Sequence, residues 1–259
     1  MSMEFLLPLF RILVLLFVIL RSFAIIGRTK HPVTTGFFAF AMVSTLLSDL
    51  YWLTYDLMRP GVRMPFAANE ICEWGLFLLL GAAAATIGGG KRVTDRKCLL
   101  AAALISAVNA MLWIGWSREW LQDICTGAAL CYYLSAVFYG MKRERFFTRK
   151  KLLFFGVITL AVLVTQAVSF TLPQDVVKAT DILVSVLLLV GAGGLTVYAA
   201  SALRKKQYAM AYYLWNGVFA WAIFSMYMSA GSIYLIFLAV SVCCNPLLLY
   251  ALEKEGMSQ

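Results

Sequence analysis

Long apolar stretches broken by short polar or basic connections make up most of the chain. A helix needs about 20 mainly apolar residues to cross a bilayer. Nine stretches meet that need: residues 5–26, 33–58, 66–88, 97–116, 119–141, 151–172, 176–201, 207–229 and 231–252. The last two share the tight connection Ser229-Ala230-Gly231-Ser232, which leaves eight spans with one irregular hairpin as an alternative. Pro32, Pro60, Pro65 and Pro173 fall at predicted boundaries, where a residue that cannot continue a helix belongs. Gly88–Gly90 and Gly191–Gly194 are the predicted weak points. No connection is long enough to hold a soluble domain, so residues 1–259 read as one integral membrane domain. The first stretch has no basic start and no small-x-small cleavage pattern after it. It reads as a retained helix carrying Arg11 and Arg21.

Composition supports this pattern. Hydrophobic residues make up 62% of the 259 positions and charged ones 14%, with a mean hydropathy of +0.83. A soluble domain carries about 25% charged residues. The predicted fold class is therefore all-α: a polytopic helical membrane bundle of nine, alternatively eight, transmembrane helices.

The net charge of +9 would suggest a nucleic-acid partner in a soluble chain. Here the basic residues sit in short runs between apolar stretches, no nucleic-acid-binding pattern occurs, and no nucleic-acid partner is expected. Alternate connections hold Arg28 and Lys30; Lys91, Arg92, Arg96 and Lys97; Lys142, Arg143, Arg145, Arg149, Lys150 and Lys151; and Arg204, Lys205 and Lys206. The other connections hold only Arg59, Arg63, Arg118 and Lys178. The positive-inside rule puts the richer side in the cytoplasm, the N-terminus outside and, with nine spans, the C-terminus inside. The plasma (cytoplasmic) membrane is the expected location. The same basic loops predict contact with anionic lipid headgroups.

Chemical signatures are sparse. The cysteines (Cys72, Cys98, Cys125, Cys131, Cys243, Cys244) lie in or beside apolar segments without a C-x-x-C pair, as small packing residues do. The single histidine, His31, argues against His-rich zinc sites and Ser-His-Asp chemistry. No H-E-x-x-H, G-x-S-x-G or Walker loop occurs, and neither a cofactor nor a metal is expected. Trp116, Trp120, Tyr208, Tyr212 and Tyr213 read as interfacial aromatics. Asn216 reads as a polar link between helices, and Asn245-Pro246 as a kink whose asparagine satisfies freed backbone.

The acidic residues start a functional argument. Asp49 and Asp56 lie two turns apart on the second span, with Trp52 between them on the same face. The third span opens with Asn69, Glu70 and Glu73. The fourth aligns Asn109, Trp113 and Trp116, the fifth carries Glu119 and Asp123, and the seventh carries Lys178 and Asp181. These groups reach from the outer boundary to about 14 Å down, with Asp49 deepest. Ionised carboxylates in hydrocarbon face a bundle interior, a water cavity or a partner. The expected arrangement is an outward-facing acidic vestibule for a ligand or ion, lined by Asp49, Trp52, Asp56, Glu70, Glu73, Asn109, Trp113, Asp123 and Asp181, with Arg11 as charge partner.

Three span openings also look alike: Asn69-Glu70-Ile71-Cys72, Gln122-Asp123-Ile124-Cys125 and Thr180-Asp181-Ile182-Leu183. They suggest a repeated two-helix hairpin that gathers equivalent carboxylates. An acidic vestibule attracts cations and amines. The expectation is a small-solute-binding membrane protein, foremost a transporter for a cationic or amine-bearing solute. A ligand-sensing receptor without its own output domain, an intramembrane carboxylate-dependent hydrolase and a structural subunit of a membrane complex stand as alternatives. The solute and the oligomeric state are left open.

Overall fold

The computed structural model describes residues 3–59, 67–87, 95–117, 120–169, 174–229 and 231–257. Within helices, the side chains of 3–6, 67–68, 116–117, 169, 174–179 and 227 lie outside that description. So do Pro60, Pro65, Pro173, Gly88–Gly90, Arg63, Arg118 and Glu119, and the side chains of Trp116 and Lys178.

Among the described residues there are nine α-helices and no strand. They are α1 (Met3–Ile25), α2 (Pro32–Met58), α3 (Ala67–Thr86), α4 (Arg96–Ser117), α5 (Trp120–Arg143), α6 (Arg149–Ser169), α7 (Gln174–Arg204), α8 (Tyr208–Tyr227) and α9 (Gly231–Met257). Seven are long and apolar enough to cross a membrane; α3 and α8 are the other two. Both are 20 residues long. The polar opening of α3 and the aromatic rings and Asn216 of α8 lower their hydropathy. The protein is a helical membrane bundle.

On α1, Phe10, Leu13, Phe17 and Leu20 recur at helical spacing and are exposed, while Leu15, Val18 and Ser22 are buried. The exposed face of α1 is apolar, as a lipid-facing surface is, and its inward face carries Ser22 among apolar side chains.

The chain forms two compact units, Met1–Gly140 with Leu249–Gln259, and Met141–Leu248. In the first, α2 packs on α1 and α3, and Leu15, Phe38, Met42, Phe77, Leu80 and Tyr133 are buried. Phe77 and Tyr133 stack with ring centroids 5.9 Å apart. Gly81 allows this approach of α3 to α5, because a Cβ there would run into the Tyr132 ring. In the second unit, Ile158, Val162, Val184, Leu188, Ala222 and Phe237 form a core.

Two sequence expectations change in the second unit. Helix α7 runs unbroken through Gly191–Gly194. Gly191 is a seat for the Trp221 ring rather than a weak point, and Trp221 Nε1 donates to the Leu188 carbonyl at 2.9 Å. Tyr212 and Tyr213 are not belt residues. Every position from 211 to 220 is buried, so the rings of α8 are surrounded by protein instead of standing at a headgroup level.

Candidate functional site

The polar groups of the first unit begin with Arg11. It lies one turn before Leu15 and two before Val18, on the inward face of α1. Its Nε is 2.9 Å from Oδ2 of Asp49 on α2, and both side chains are 14% exposed. Neither atom has an aligned hydrogen-bond partner, so the contact is an ion pair held by proximity. Taking either charge out of water carries a penalty of several kcal/mol, and only the opposite charge offsets it.

On the neighbouring face of α2, the Ser48 hydroxyl donates to Asn69 Oδ1 on α3. Asn69 Nδ2 in turn donates to Glu73 Oε1 at 3.0 Å, the one-turn pairing their spacing predicts. Beside Glu73, Trp74 Nε1 donates to Thr126 Oγ1 of α5 at 2.7 Å. One residue on, Gly127 rests against Ala110 and the Ser106 carbonyl of α4. Asp123 lies one turn before Gly127 and is 8% exposed, and Asn109 is buried next to Ala110. Side-chain contacts therefore lead from α1 to α2 and from α2 through α3 to α5, and α5 packs on α4 at Gly127.

Trp52, Asp56 and Asp181 stand apart from this chain of contacts. Trp52 is 44% exposed, and Asp56 is exposed. Among the described residues neither has a hydrogen-bond or ion-pair partner. Glu70 and Trp113 are half-buried. Asp181 is exposed and belongs to the second unit. The three similar span openings sit in unlike settings: Glu70 half-buried, Asp123 buried, Asp181 exposed.

Several linking residues were not visible as candidates. Ser48, Trp74 and Thr126 bridge helices in the site, and Thr34 on α2 donates to Thr86 on α3 at 2.9 Å. A hydroxyl or indole within an apolar stretch leaves hydropathy almost unchanged. Outside the site, Arg21 on α1 pairs with Glu253 on α9. In the second unit, Asn216 is fully buried and donates Nδ2 to the Tyr212 carbonyl of its own helix at 2.8 Å.

The first unit thus presents a half-buried carboxylate with its counter-charge on a different helix, and a second carboxylate held by an amide. Such groups can exchange a proton or a cation, or simply hold helices together. The fold and this polar interior define a polytopic helical membrane protein. No known protein family, curated protein or solved structure matches the chain.

Proposed function

We propose that the protein binds and moves a small cationic or amine-bearing solute, with Asp49 and Glu73 as its principal carboxylates. In this reading the N-terminus faces outward and the protein resides in the plasma membrane. One observation supports it most: the Asp49 carboxylate, 14% exposed, is neutralised by Arg11 of a neighbouring helix. A proton or solute cation arriving at Asp49 competes with Arg11. Occupancy and the α1–α2 contact are then coupled, and a ligand shifts a conformational equilibrium only through such a difference in contacts. Arg11 also makes the site less acidic than its carboxylates alone imply.

A purely structural reading rests on the same pair, because interhelical salt bridges need no ligand. Flux separates the two. The full chain in proteoliposomes is offered a panel of radiolabelled inorganic cations and amines. Uptake of at least one by wild type is expected, and Asp49→Asn lowers it at least tenfold. The double variant Arg11→Gln/Asp49→Asn removes both charges, so it folds without a stranded arginine and still lacks uptake. Wild-type uptake of none of the panel, or unimpaired uptake by Asp49→Asn, removes the proposal.

A further inference from the structure

We propose a binding groove for one anionic phospholipid on the α6–α7 face of the second unit, independent of the transport reading. The groove has a volume of about 520 Å³ and is lined by Lys150, Leu153, Phe154, Val157 and Ile158 of α6 and Val190 of α7. Positions 150, 153/154 and 157/158 recur at helical spacing, so one face of α6 forms its floor. The nine residues 150–158 of α6 extend for about 12 Å, close to the roughly 15 Å half-thickness of a bilayer's hydrocarbon core. The walls are apolar over that length, and the single charged residue stands at one end. This is the polarity of a phospholipid: one chain along the groove and a phosphate at its mouth.

The occupant is lipid because α6 is the most peripheral span. Only 11% of its apolar window is buried, the least of the seven membrane-crossing candidates. Leu152, Leu153, Phe154, Val157 and Leu160 are exposed. Gly193 has nothing within 4 Å of a would-be Cβ, and Gly194 lets the Phe154 and Phe155 rings close in.

Local charge selects an anionic headgroup. The turn from α5 into α6 carries Lys142, Arg143, Arg145, Arg149, Lys150 and Lys151 against Glu144 alone, and Glu144 is taken by Arg143 at 3.3 Å. Lys151 is engaged elsewhere, its Nζ standing 4.3 Å and 4.6 Å from the ring centroids of Phe146 and Tyr198. Lys150 is exposed, and no carboxylate among the described residues pairs with it. Its ammonium is the group placed to receive a lipid phosphate.

The test is photolabelling of the full-length protein in nanodiscs. Phosphatidylglycerol with a diazirine on one acyl chain is compared with the matching phosphatidylcholine, and adducts are mapped by peptide mass spectrometry. Labelling of residues 153–158 by the anionic lipid should exceed that by the zwitterionic lipid about fivefold, the factor equivalent to about 1 kcal/mol for one lysine at an anionic surface. Lys150→Gln should lower the preference toward one and leave phosphatidylcholine labelling unchanged. Val190→Trp, which fills the groove, should reduce labelling at 153–158 by both lipids, with thermal melting confirming that both variants fold. Equal labelling by the two lipids in wild type, a preference that survives Lys150→Gln, or adducts spread evenly over all exposed helices would each overturn the proposal.

Discussion

A carboxylate inside a membrane bundle is stable only with a partner, and Asp49 has Arg11. Removing one member strands the other charge at a site 14% exposed, which costs about 3–5 kcal/mol. Removing both deletes the two desolvation penalties along with the attraction. Asp49→Asn and Arg11→Gln should therefore each lower unfolding stability in detergent by several kcal/mol, and the double variant by clearly less than their sum. Additive losses would mean that the two charges do not interact. Much of this pairing was legible in the chain: Asp49 as a deep acid, Arg11 as an opposing charge at its level, Asn69 and Glu73 by spacing. Ser48 and Thr126 were not. Their partners lie 21 and 52 residues away, and no local pattern encodes which helix faces which.

At the scale of helices, hydropathy located all nine elements closely. Apolar length is a local property, and the end of a helix is marked by local charge and turn chemistry. Two ends share a motif that hydropathy does not reveal. After α5, the Phe146 N–H reaches back to the Met141 carbonyl and the Arg145 N–H to that of Lys142. After α7, Gln207 and Lys206 repeat the pattern with Ala202 and Leu203. The pattern is a Schellman closure with a left-handed residue, here Arg145 (φ 57°) and Lys206 (φ 59°). Glycine normally fills that position, since a side chain there costs about 1–2 kcal/mol. Lys206→Gly should therefore raise stability by about 0.5–1 kcal/mol, after glycine's own entropic cost, visible as a higher melting temperature. A lower one would mean that the lysine side chain is itself a structural contact. Helix α8 shows the limit of reading elements from sequence. Its aromatic residues suit a headgroup belt equally well, and only burial on all sides over 211–220 decided their role.

At the scale of the whole chain, the end of α9 meets the far end of α1. Arg21 pairs with Glu253, and Lys30 N–H donates to the Gly256 carbonyl at 3.2 Å. Helix α1 runs away from the N-terminus to reach that place. If α1 crosses the membrane, the two termini lie on opposite sides and the number of crossings is odd. With the basic loops inside, a reporter at the N-terminus should read outside and one at the C-terminus inside. Both reporters on the same side would break this topology.

The sequence by itself determined the helical membrane class, the approximate bounds of the nine helices and the expected orientation, because apolar length, charge bias and turn residues act within a few positions of one another. Tertiary structure alone decided that Ser48 and Trp74 link α2, α3 and α5, that Asp123 and Asn109 are buried while Asp56 and Asp181 are exposed, and that Gly191 receives a tryptophan ring. Each of these depends on which helices are neighbours and how each is rotated. That is set by packing among segments dozens of residues apart, which the spacing within any one helix does not contain.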